Sequence, residues 1–309
     1  MAMRGRLAAA VLAAVGMLGV IGAAPAGATP GGFVCSGTLG SPGSIPSGTL
    51  TSLTMPPGQV CFVEAGPVTV THPVTLGQDA GLGFAYDLTI TGPVTLGDSS
   101  ALFSLGGNLH IGGPVTVGPN ALFTPYFSSG PPWPSFTLDG GVTVENQGAF
   151  FVQAGSTIHG PVTATDPSAI NIVGSQLSGP VRLQGGGGPN GVLASLHAPA
   201  SNYTWSVLQW NKIAGPVTIQ GYAGVTVLVE GNTIAGALTV TGNTQLVGWL
   251  ENPGYPPYFP VAANTFFVQG NTIRGNANCS NNGTATLLQD YPQGFTGPNT
   301  VYGHIDTCE

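Results

Sequence analysis

Gly66-Pro67-Val68-Thr69-Val70 is the stretch whose reading decides the fold. The same Gly-Pro-Val-Thr-aliphatic pattern, with small variations, starts again at Gly92, Gly113, Gly160, Gly179 and Gly215. Degenerate copies start at Gly140 and Gly236, and a worn one at Gly275 ends on Cys279. Val68 and Val70 alternate with Thr69, the period-two pattern of a strand with valine on one face and threonine on the other. Glycine carries the backbone through a corner that a Cβ would obstruct. Proline has no N–H for a ladder and so fits the first position of a strand.

Working outward, the repeat glycines are 26, 21, 27, 20, 19, 36, 21 and 39 residues apart. The short intervals define a unit near twenty residues, and the long ones read as that unit plus an insertion. Such a period points to a solenoid, propeller or array. Ser156, Ser175, Asn211, Asn232 and Asn271 each stand four residues before a repeat glycine, followed two residues later by Ile158, Leu177, Ile213, Ile234 or Ile273. Ile170/Ile172, Val227/Val229 and Phe266/Val268 supply a further alternating pair upstream. Two or three short strands per circuit, separated by turns, make a rung of a β-helix. The valines then stack on counterparts ~4.8 Å away, and nine units span on the order of 40 Å. The Asn/Ser column is expected to hydrogen-bond along the axis, as amide ladders do in stacked strands. The regular Leu-x-x-Leu-x-Leu of a leucine-rich repeat is missing, and a propeller blade would need about forty residues.

Composition agrees. Hydrophobic residues make up 42% of the 309, enough for a core, whereas Asp, Glu, Lys and Arg together make up 6%. Ion pairs cannot be the main source of stability. Residues 1–28 read as a secretory signal, with Arg4 and Arg6, an apolar stretch from Leu7 to Ala24, and Ala26-Gly27-Ala28 as the cleavage site. The cations left after cleavage are Arg182, Lys212 and Arg274, against twelve acidic residues. That balance excludes nucleic acid as a partner and gives no basic patch for membrane lipid once the leader is gone. Export also favours disulfides, and the four cysteines fall as Cys35 and Cys61 at one end and Cys279 and Cys308 at the other. Free thiols or a metal site are the alternatives, but no Cys-x-x-Cys spacing supports a metal.

The order of motifs resembles secreted right-handed β-helix proteins of the pectin-lyase-like type, and more closely a group of exported β-helix proteins of high-GC Gram-positive bacteria. The resemblance rests on Cys35-Ser36-Gly37-Thr38-Leu39, then Cys61, the Gly-Pro-Val-Thr strands, and the Gly231-Asn232-Thr233-Ile234 and Gly270-Asn271-Thr272-Ile273 turns. These motifs are structural, and no activity comes with them.

The expected organisation is all-β: a signal over 1–28, an N-terminal cap over 29–65 with Cys35–Cys61, one right-handed parallel β-helix of about nine rungs over 66–278, and a C-terminal cap over 279–309 with Cys279–Cys308. Insertions at 123–139, 184–206 and 246–264 interrupt the helix. All three are expected to leave after a Val-Thr strand and so to emerge along one side. They carry Tyr126, Trp133, Tyr203, Trp205, Trp249, Tyr255 and Tyr258, the candidate ligand-binding residues. Insertions in repeat proteins often build the binding face, and aromatic faces stack on sugar rings. The competing reading is that these rings pack the loops onto the sheet.

Chemistry is sparse. Glycoside hydrolysis wants two carboxylates facing each other, and the nearest candidates are Glu145 and Asp166, also ordinary loop positions. A lyase would need a cationic base beside calcium-binding carboxylates, whereas the three cations fall in different rungs and phases. His72, His110, His159, His197 and His304 are scattered, and His159 reads as a surface residue before a corner. The outward threonines suggest ice binding, but a second column at the next outward position fails. The sequence therefore points to a non-enzymatic secreted or cell-surface structural and binding protein, with no cofactor or metal and with a glycan or extracellular protein as partner. The alternative is a polysaccharide-active lyase or glycoside hydrolase.

Overall fold

Val94-Thr95-Leu96 shows how the repeat becomes architecture. In the computed structural model, which describes residues 31–124, 134–188, 205–223, 226–243, 265–282 and 298–306, this strand lies parallel between Val74–Leu76 and Val115–Val117. Apolar residue stacks on apolar residue and threonine on threonine. Val94 and Leu96 are buried while Thr95 is exposed. The β-branched residues favour extended backbone, and stacking like on like buries a continuous inner column.

Among the described residues, thirty-three short strands build three parallel sheets of twelve, ten and eleven strands, here sheets I, II and III. Successive strands visit I, II and III in strict rotation from Gly32–Val34 to Thr272–Ile273. The chain is thus all-β and coils as a parallel β-helix solenoid. The ten strands of sheet II mark ten complete circuits, more than the nine repeat copies suggested. The segment expected as an N-terminal cap already holds strands of the first two circuits, Gly32–Val34 through Val60–Val63.

The corner glycines are required by packing between circuits. A Cβ on Gly92 would lie 2.8 Å from the backbone nitrogen of Pro73 and 3.1 Å from the carbonyl carbon of His72 in the preceding circuit. Each corner proline keeps its carbonyl in the ladder: the Val74 and Val94 N–H groups donate to Pro93 O and Pro114 O, both at 3.0 Å.

Eight of the nine repeat copies, from Gly92 onward, lie in sheet I. The first does not. Val68–Val70 belongs to sheet III, where it pairs with Leu88–Ile90, and the next sheet I strand is Val74–Leu76, after His72-Pro73. The 26-residue interval after Gly66 is therefore a twenty-residue circuit measured from the wrong corner, not a unit with an insertion.

The inner faces of the three sheets meet in one long core, with Phe123 stacked on Phe150 at 5.1 Å and edge-on to Phe136 at 5.5 Å. Sheet II is apolar on its other face as well: Val60, Phe62, Ala101, Phe103 and Leu122 form a second buried cluster. Gly83 lies between Phe62 and Phe103 in register, and its missing side chain lets those two rings meet edge-on at 5.7 Å.

The Asn/Ser column forms at the turn from sheet II to sheet III, and the expected axial ladder is there. Asn211, Asn232 and Asn271 each donate Nδ2–H to the amide oxygen of the next asparagine, ending at Asn299, over 2.9–3.0 Å. A second, shorter ladder joins Asn243 to Asn282 at 2.8 Å.

Cys35–Cys61 is a disulfide. Cys279 is disulfide-bonded too, while Cys308, expected as its partner, lies outside the described residues, as does the signal segment. No helix among the described residues is long and apolar enough to cross a membrane.

The insertions leave the solenoid at two different corners rather than one. The second and third depart between sheets I and II, after Val181–Gln184 and Leu238–Thr241. The first departs between sheets II and III, because Leu122–Thr124 completes a sheet II strand before the chain leaves. Phe136, assigned by sequence to that insertion, is a fully buried core residue of sheet III.

Candidate functional site

The outer face of sheet III collects the polar chemistry of the chain. Its central outward column runs Thr89, His110, Thr137, Thr157, Gln176, Lys212, Thr233, Thr272. Two residues further along each circuit, at the corner before sheet I, a second column runs Asp139, His159, Ser178, Ala214, Ala235, Arg274, Tyr302. These residues are stacked by backbone bonds of 2.8–3.0 Å to the preceding circuits.

Two features stand on this face. In the fourth to sixth circuits, His110 Nε2 lies 2.7 Å from Asp139 Oδ2 and His159 Nδ1 lies 2.9 Å from Asp139 Oδ1. The two imidazoles hold the Asp139 carboxyl below its usual range, first through the hydrogen bond from His110 and then through that from His159. All three side chains remain open to solvent.

Immediately beyond, a depression of about 410 Å³ spans the sixth to tenth circuits. Its shape follows from side-chain size: Ser178, Ala214 and Ala235 are small, while His159 at one end and Arg274 at the other stand above them. Lys212 borders its middle, and no acidic residue lines it. An exposed Tyr302 follows Arg274 in the same column.

At the opposite margin of sheet III, in the Lys212 circuit, Trp210 is about half exposed. Its backbone is left-handed, with φ 54°, where the neighbouring circuits place Gly174, Gly231 and Gly270 at φ 61–63°. A bulky residue in this region is uncommon and strained. Space for the indole comes from Gly231, where a Cβ would sit 2.5 Å from the ring carbon Cδ1.

Sequence reasoning placed Lys212 and Arg274 in unrelated phases and passed over Trp210. The structure brings both cations onto one depression and leaves Arg182 on sheet I, between Thr163 and Thr218. Glu145 and Asp166 lie at the same corner after sheet I in adjacent circuits, each tied by its backbone to a neighbouring circuit. Glu145 is exposed and donates its N–H to Val117 O at 2.9 Å. Asp166 has φ 47° and accepts the Gln147 N–H at 2.7 Å. Of the candidate aromatics, Trp205 opens a sheet II strand opposite Thr226. Tyr126, Trp133, Tyr203, Trp249, Tyr255 and Tyr258 lie outside the described residues. Among the described residues, no group of three or more His, Cys, Asp or Glu is placed to hold a metal ion.

The fold and this face define a parallel β-helix with a cationic depression along one sheet. No protein-family model, curated protein or solved structure matches the chain.

Proposed function

We propose that this is an exported, non-enzymatic protein, a right-handed β-helix closed at both ends by disulfide-bearing segments. It binds an extended, negatively charged glycan along the outer face of sheet III. One observation carries the reading: in a chain this poor in cations, Lys212 and Arg274 line one depression that has no acidic lining. A low-dielectric floor of Ala214, Ala235 and buried Ile213 strengthens each charge there relative to open water. The continuous β surface beneath offers a linear ligand a straight track, and the threonine and glutamine side chains of the central column supply hydroxyl and amide partners. The disulfides and the leader-like N-terminus support an extracellular place for this binding.

The test is equilibrium binding of the leader-free chain to soluble acidic and neutral polysaccharides. Binding is expected for the acidic ones, weakening as salt rises, and it should be lost in Lys212→Ala/Arg274→Ala but kept in Arg182→Ala. Equal loss in Arg182→Ala, or no binding to any acidic chain, overturns the reading. Shortening of the polysaccharide during the incubation would instead favour a polysaccharide-active enzyme.

A further inference from the structure

The basic side chains of sheet III follow a rule that the sequence hides. His110 stands in the fourth circuit, His159 in the sixth, Lys212 in the eighth and Arg274 in the tenth. They recur at every second circuit, with His110 and Lys212 in the central column and His159 and Arg274 in the corner column. Neighbouring strands are about 4.8 Å apart, so the step along the axis is about 9.6 Å. The permanently charged members, Lys212 and Arg274, are one such step apart along the axis and lie in neighbouring columns.

That step discriminates between polyanions. An extended acidic peptide presents side chains on one face about every 6.7 Å, out of phase with it. A uronic-acid homopolymer carries a carboxylate on each sugar and so presents charges about twice as densely as the protein presents cations. An extended β-linked glycan with one anionic group per disaccharide has its charges spaced close to the protein's step. The uncharged sugar between two acidic ones then falls on the intervening circuit.

Trp210 fits this alternation. It occupies, in the left-handed region, a position that its neighbours fill with glycine, and its ring is about half exposed. Two residues before Lys212, its indole lies over Gly231 of the next circuit, alongside the track and between the levels of Lys212 and Arg274. An aromatic face there can stack on the apolar face of the neutral sugar while the charged sugars engage Lys212 and Arg274.

Resting on the glycan-binding reading above, we propose that the sheet III track selects glycans carrying one carboxylate or sulfate per disaccharide, with Trp210 as the stacking platform for the uncharged sugar. The probes are oligosaccharides of hyaluronan (one carboxylate per disaccharide), of polygalacturonate (one per sugar) and of neutral cellulose, together with poly-glutamate, each titrated against the leader-free chain. The hyaluronan oligosaccharide is expected to bind about tenfold more tightly than the galacturonate one of equal length, because the extra carboxylate of the latter falls on the intervening circuit, where Thr233 and Ala235 offer it no cation. Trp210→Gly should weaken hyaluronan binding by about fivefold or more while leaving Tm within about 3 °C of the parent, because glycine is the residue that the neighbouring circuits use there. Equal or tighter binding of polygalacturonate or poly-glutamate overturns the spacing rule and leaves the glycan or polyanion track standing. Absence of binding to every polyanion overturns both. A Trp210→Gly variant that loses Tm in step with affinity overturns the role given to the indole.

Discussion

The amide oxygen of Asn232 accepts two hydrogen bonds from Asn211, one from the backbone N–H and one from Nδ2–H, each at 3.0 Å. Asn232 in turn donates Nδ2–H to Leu208 O at 2.7 Å and to Asn271 Oδ1 at 2.9 Å. One buried amide thus satisfies groups in three circuits, where no water reaches them.

Asn232→Ala is therefore expected to cost about 2–4 kcal/mol, since it strands a backbone donor and a backbone acceptor in the interior. Asn232→Asp should cost more at neutral pH. It keeps the acceptor but turns both donor contacts into oxygen facing oxygen and buries a charge. Urea denaturation of the two variants measures this, and an aspartate variant as stable as the parent would rule out the donor role of Nδ2.

Two glycines separate two reasons for glycine. Gly92→Ala should cost about 1–3 kcal/mol by forcing a methyl group into the backbone of the preceding corner. Gly58 has φ +71° and open space where a Cβ would go, so Gly58→Ala should cost only the left-handed penalty of about 1 kcal/mol. Replacement by Asn, which tolerates that backbone region, should recover part of the loss at Gly58 and none at Gly92.

That distinction bears on how much of the molecule its sequence reveals. Gly-Pro-Val-Thr encodes a corner and a strand, and the period-two pattern tells inside from outside, so the solenoid and its core valines are legible. The code does not say which sheet a strand joins, because corners into sheets I and III can be built from the same residues. Val68–Val70 carries the sheet I motif and sits in sheet III. The distinguishing signal is the apolar-x-apolar triplet exactly one strand earlier, as in Leu88, Leu109 and Phe136, each six residues before a sheet I valine. The depression was illegible for a related reason. Lys212 and Arg274 are 62 residues apart in sequence, but an insertion between them conceals that only two circuits separate them. Trp210 escaped notice because it stands where the repeat calls for a turn glycine.

The Cys35–Cys61 bond closes a span of 26 residues across the first two circuits, and in the chain-entropy model it contributes about 3 kcal/mol. Because each circuit leans chiefly on its neighbours, its loss should be felt locally. Cys35→Ala/Cys61→Ala is expected to raise amide hydrogen exchange in residues 32–63 first, with the circuits around Asn211 and Asn232 still protected. Uniform acceleration along the chain would show instead that the solenoid unfolds as one unit.

Asp139 gives the sign of one pH effect. Its carboxyl is held below the ordinary value of 3.8 by the hydrogen bonds from His110 and His159. A carboxylate lowered in the folded state adds stability above its unfolded-state pKa and loses it as pH falls through the folded value. The contribution should therefore be complete at neutral pH and lost as pH falls through the lowered folded-state value. Solvent reaches all three side chains, which limits it to about 1 kcal/mol or less. Asp139→Asn should accordingly be slightly less stable than the parent at neutral pH and indistinguishable from it in acid. A carbon-13 titration should place the Asp139 midpoint below 3.8 in the parent, and His110→Ala should move it up more than His159→Ala does, in keeping with the larger share of the first hydrogen bond. A midpoint above 3.8 in the parent would mean that the two imidazoles do not hold the carboxylate in solution.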